Sequence, residues 1–143
     1  MFHYFCYKPL GLNHPDVATS LNNLAGVYEA QKKYAEAEKL YRQALEVRKK
    51  ALGPNHPDVA NTLHNWAGLY GTQGKYAEAE TLFKESLTIL ENTLGPDHPH
   101  VATSLENYVV LLRKTNQPAE AAKLEARAKA IREKQTYPPS PLS

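Results

Sequence analysis

Apolar residues recur at three- and four-residue steps along this chain, stop, and start again. Val17, Leu21, Leu24, Ala25 and Tyr28 fall on one helical face. The pattern pauses at residues 31–33 and resumes through Tyr34, Ala37, Leu40, Tyr41, Ala44 and Leu45. So short a pause makes the two predicted helices antiparallel neighbours. The second helix is predicted to reach about residue 50 or 51. There Gly53 stands as a terminator with Pro54 behind it.

The same pattern returns every 42 residues. "HPDVA" occupies 14–18 and 56–60 and becomes "HPHVA" at 98–102. "KYAEAE" occupies 33–38 and 75–80 and decays to "QPAEAA" at 117–122. Periodicity on this scale predicts stacked units, each unable to bury its apolar faces alone. The predicted organisation is an atypical segment at 1–11, units at 12–52, 53–94 and 95–135, and a proline-rich, extended or disordered tail at 136–143. Alanines at 25, 37 and 44 mark close helix approach, with larger residues at 24, 28, 40 and 41 filling the space beside them. Block 3 has "TNQPAE" where block 2 has its glycine turn, and its second helix is more polar, as a terminal cap should be.

Composition narrows the chemistry. A formal net charge of +2, with acids and bases interleaved, gives no basic patch for nucleic acid. No apolar run is long enough to cross a bilayer, and the opening "MFHYFCYKPL" is a poor signal peptide. Cys6 is the only cysteine, so no internal disulfide or cysteine zinc site forms, and a reducing, cytoplasmic setting fits.

The joint "LGPNHPDVA" (52–60) invites a chemical reading of His56 and Asp58. Its repetition argues for architecture. Pro57 suits the first residue of a helix, Asp58 the first turn, and His56 the cap position. His14, His56 and His98 belong to successive stacked units and are expected on the order of 10 Å apart, too far to share a zinc ion. No nucleophile pattern or phosphate loop appears, so neither catalysis, cofactor nor metal is expected.

The stretch "LNNLAGVYEAQKKYAEAEKLYRQALEVRKKALG" (21–53) resembles a tetratricopeptide repeat. Leu24, Ala25, Tyr28, Tyr34, Ala37, Tyr41 and Ala44 match, as do Trp66, Ala67, Tyr70, Gly74, Tyr76, Ala79 and Phe83. The 42-residue period resembles that of kinesin light chains. The resemblance covers about residues 12–135 and implies an all-α, right-handed superhelical solenoid of three antiparallel helix pairs. It further implies a scaffold or adaptor whose concave groove, lined by the first helices, binds a protein or peptide.

Groove candidates are then Asn22, Asn23, Gly26 and Glu29; Asn61, His64, Asn65 and Gly68; and Glu106, Asn107, Val110 and Arg113. Gln31, Lys33, Gln73, Lys75 and Lys114 lie near the rim. Asn23, Asn65 and Asn107 are identical in every block, which fits either a bond between neighbouring units or contact with a peptide backbone. Asn22, His64 and Glu106 vary, as selectivity positions should. At the positions matching the family's carboxylate-reading cluster (22, 26, 64, 68, 106 and 110) there is no lysine or arginine, so that clamp is not expected. The aromatics Phe2, Tyr4 and Phe5 are expected to pack on the first unit or on another chain. The alternative function is structural: terminal units that stack on other copies, as a homo-oligomer, or on further repeats.

Overall fold

The computed structural model describes residues 14–136, all in helices and short connections. The expectations for Phe2, Tyr4 and Phe5 and for residues 137–143 lie outside the described residues. Six helices follow one another: α1 Pro15–Ala30, α2 Tyr34–Leu52, α3 Pro57–Thr72, α4 Tyr76–Leu94, α5 Pro99–Lys114 and α6 Pro118–Thr136. Thr136, expected to open the tail, closes α6 instead. The helices form three antiparallel pairs, and each pair leans its second helix on the first helix of the next.

The joints behave as punctuation. Gly53 and Gly95 sit at φ 96°, with ψ 154° and 151°, a region essentially reserved for glycine. Four residues separate α2 from α3 and α4 from α5, and each new helix begins with proline. His14, His56 and His98 cap these helices: each ring Nδ1 accepts from the backbone N–H two residues on, at 3.1, 3.0 and 3.0 Å. A histidine cap uses the ring nitrogen as serine or aspartate would use an oxygen.

The turns inside the pairs are also spaced by one period. Lys32, Gly74 and Asn116 all adopt positive φ, at 64°, 79° and 59°. Each is followed by a residue whose N–H closes the turn at 2.8 Å, on the carbonyls of Tyr28, Tyr70 and Leu112. Losing glycine in block 3 therefore does not lose the turn. Asparagine tolerates the left-handed region well, and lysine bears it at a cost.

Close packing centres on the predicted small residues. Ala25, Ala37, Ala44, Ala67, Ala79 and Ala121 are fully buried. Ser86 takes an alanine position and satisfies its hydroxyl by donating to the Ala60 carbonyl at 2.8 Å. Leu24 departs from expectation. It is 42% exposed, whereas its counterparts Trp66 and Tyr108 are 9% and 5% exposed. Those two rest on the preceding pair: the Arg42 guanidinium lies over Trp66, and Tyr108 stacks on Phe83. Among the described residues α1 has no preceding pair, and Val27 is half exposed for the same reason.

The polar α6 is tied down by charge. Arg127 bonds Glu91 at 2.8 Å, Arg132 bonds Glu106 at 2.9 Å, and Lys134 bonds Asp97 at 2.7 Å. Its buried apolar contribution is Ala121, Ala128 and Ile131.

Candidate functional site

First-helix residues one unit apart meet between the pairs. A cavity of about 350 Å³ draws Glu29 from α1; His64, Asn65, Gly68 and Gly71 from α3; and Asn107, Val110 and Lys114 from α5. Tyr41 and Phe83, from the second helices, supply aromatic walls. Six of the twelve groove candidates thus converge: Glu29, His64, Asn65, Gly68, Asn107 and Val110. Lys114, placed near the rim by sequence, lines the cavity itself.

The polar groups are held in place. The Tyr41 hydroxyl donates to Glu29 at 3.1 Å, and burial followed by the neighbouring carboxylate raises its pKa, so it stays a donor. The His64 ring meets Phe83 edge-on at 5.3 Å, and its Nε2 lies 2.8 Å from Asn107 Nδ2. An amide nitrogen only donates, so Nε2 accepts and the ring is neutral with its proton on Nδ1. Burial lowers the His64 pKa, in keeping with that neutral form. Of the three identical asparagines, Asn107 therefore makes a bond between neighbouring units. Asn65 lines the cavity, and Asn23 is exposed on α1.

The glycines keep the space open. A Cβ added at Gly26, Gly68 or Gly71 meets no heavy atom within 4 Å. Val110, one period after Gly68, is 53% exposed. One wall of the cavity is therefore backbone on α3 and an apolar side chain on α5.

Three candidates are engaged elsewhere. Asn61 accepts from Arg48 Nη1 at 3.1 Å. Glu106 takes Arg132 through both carboxylate oxygens, at 2.9 and 3.3 Å, which holds its carboxyl below the usual range. Arg113 bonds Glu125 at 3.2 Å. Glu106 and Arg113 line a different cavity, between α5 and α6, with Val110 at its edge. Asn22 and Gly26 lie on α1 away from the cavity, and among the described residues the buried Oδ1 of Asn22 has no partner.

Arg48 is the residue that sequence reasoning passed over. It is 7% exposed and reaches from α2 into α3, donating to the Asp58 carbonyl, Asn61 Oδ1 and Thr62 Oγ1 at 2.9, 3.1 and 2.8 Å. Burial lowers its pKa and Asp58 opposes that. The available signal was a mismatch in register: Leu90 stands one period after Arg48.

The tetratricopeptide repeat family model matches residues 16–92 and 58–134. No curated protein sequence matches the chain. Among solved structures it is similar to BtubC (BKLC) from P. vanneervenii, at 27% identity and TM-score 0.82, over 91% of this chain and 52% of that one. It is similar at 29% identity and TM-score 0.76 to a Podosopora anserina putative kinesin light chain with nearly identical TPR-like repeats, over 90% of this chain and 61% of that one. The N-terminal domain of stress-induced protein-1 (STI-1) from C. elegans shares the fold, at 19% identity and TM-score 0.66, over 82% of this chain and 85% of that one. The chain spans between half and two thirds of the length of the first two structures.

Proposed function

The chain belongs to the tetratricopeptide repeat family, with repeats of the kinesin-light-chain-like kind, a scaffold for protein interaction, and on that premise we propose that it grips an extended peptide segment of a partner. The observation that carries this reading is the cavity where three successive first helices converge over Tyr41 and Phe83. Its chemistry suits a peptide: amides at Asn65 and Asn107, a carboxylate at Glu29, an ammonium at Lys114, and apolar wall at Phe83, Val110 and Leu111. Backbone amides of the peptide pair with the asparagines, and one apolar side chain enters the slot above Gly68. No catalytic step, cofactor, nucleic acid or membrane enters the reading. The single Cys6 fits a cytoplasmic setting.

Selection from a random peptide library tests it. Wild type is expected to enrich a family of sequences sharing an apolar anchor. A Gly68→Trp variant, filling open space, is expected to bind them at least about ten-fold more weakly with its unfolding midpoint kept. Equal binding by both proteins would overturn the groove assignment.

A second reading rests on Leu24. Its exposure, with that of Val27, leaves on α1 a face that α3 and α5 bury against the pair before them. Stacking of another repeat or a second copy on this face is the structural alternative. A sedimentation mass that rises with concentration, and falls back in Leu24→Glu, supports it; a constant mass rejects self-stacking.

A further inference from the structure

The last turns of the three first helices carry different chemistry at the same two positions. These are Glu29 and Ala30 on α1, Gly71 and Thr72 on α3, and Arg113 and Lys114 on α5. Acid, neutral and base thus succeed one another along the stack. Helix stability accounts for only one end of that series. A cation in the last turn of α5 meets the negative end of the helix dipole, whereas the same dipole disfavours a carboxylate in the last turn of α1. Glu29 is nevertheless held in place, because the Tyr41 hydroxyl donates to its Oε1 at 3.1 Å.

Glu29 and Lys114 both line the cavity of about 350 Å³. They are its charged walls, since His64 is neutral there and Tyr41 is a donor. Arg113, beside Lys114, is already paired with Glu125 at 3.2 Å. Among the described residues neither Glu29 nor Lys114 has an ion-pair partner. We propose that the groove selects a peptide with opposite charges flanking its apolar anchor: a lysine or arginine pairs with Glu29, and an aspartate or glutamate pairs with Lys114. The inference rests on the groove reading and names the class of peptide. Neighbouring first-helix axes on the order of 10 Å apart put the two charges up to about 20 Å apart. An extended chain covers that in about four to six residues. Gly71 stands between them, and a Cβ added there meets no heavy atom within 4 Å, so the path is clear. A peptide with acids on both sides, or bases on both sides, sets like charge against like at one end and is rejected.

The test repeats the random-library selection on the full chain, as wild type and as two charge variants. Peptides enriched by wild type are expected to carry a base on one side of the apolar anchor and an acid on the other. Lys114→Glu is expected to keep the anchor and enrich bases on both sides. Glu29→Gln, whose amide oxygen still accepts from Tyr41, is expected to lose the preference for the base and keep that for the acid. One peptide enriched by wild type is then synthesised and titrated. Glu29→Gln and Lys114→Gln are each expected to weaken it about two- to five-fold. That loss is expected to vanish when the facing charge on the peptide is itself neutralised. Lys114→Gln decides the matter should Lys114→Glu unfold. Flanking charges that are random in the wild-type selection, or unchanged in Lys114→Glu, would overturn the proposal and leave the groove standing. An absence of any enriched family would overturn the groove reading and this one with it.

Discussion

Asn107 donates through Nδ2 to His64 Nε2 at 2.8 Å and so fastens the third helix pair to the second at the wall of the groove. The bond needs a neutral imidazole, and burial already lowers the His64 pKa. The folded chain therefore resists a proton that the unfolded chain accepts below about pH 6.5. The stability tied to His64 is complete above that value and is lost as pH falls toward the lowered folded pKa. Thermal midpoints at about pH 7.5 and about pH 5 are expected to fall further for wild type than for His64→Gln, whose amide oxygen still accepts. An equal fall would show that His64 titrates as freely folded as unfolded.

Arg48 supplies the second prediction. Arg48→Ala leaves Asn61, Thr62 and Thr19 without their donor and opens a gap between pairs, a loss of about 2–4 kcal/mol. Arg48→Leu, which copies what the chain does at Leu90, is expected to cost less than half of that. Urea unfolding of the two variants measures the difference. Equal losses would mean that packing by the arginine stem contributes nothing beyond the hydrogen bonds.

The turns give a paired expectation. Gly74→Ala forces a side chain into the left-handed region and is expected to destabilise by about 1–2 kcal/mol. Lys32→Gly relieves the same conformation one period earlier and is expected to stabilise, by up to about 1 kcal/mol. Gly68→Ala, in mid-helix with open space around it, is also expected to stabilise, by about 0.5–1 kcal/mol. A thermal melt of each settles the three signs.

Leu24 and Trp66 are the same position in successive units, in different surroundings. Trp66→Ala is expected to cost about 3–5 kcal/mol, and Leu24→Ala less than about 1 kcal/mol. Comparable losses would show that the Leu24 face is covered in solution.

The helices, joints and alanine contacts were legible because they depend on near neighbours in sequence. His56 could be read as a cap since its target lies two residues on. That Asn61, Glu106 and Arg113 are engaged within the chain was not legible, because their partners, Arg48, Arg132 and Glu125, lie on second helices where charge resembles a solvated face. Polarity in α6 signalled a cap and concealed that its charges are spent on α5. Lys114 reached the cavity from a position that seemed peripheral, because the stacking angle of the pairs, which no local pattern encodes, brings it in. Leu24 was expected to be packed because the repeat treats it like Trp66, and a repeat pattern does not reveal which unit lacks a neighbour.

The joint has a last consequence, for how such a chain can change. Gly53 closes on Lys49, and His56 closes on Asp58, so each joint completes its own bonds within ten residues. Copying any 42 consecutive residues from within 14–136 in tandem yields another complete helix–turn–helix–joint cycle with the joint's proline, histidine and glycine in phase. Length can thus be edited in whole periods without redesign of the joints.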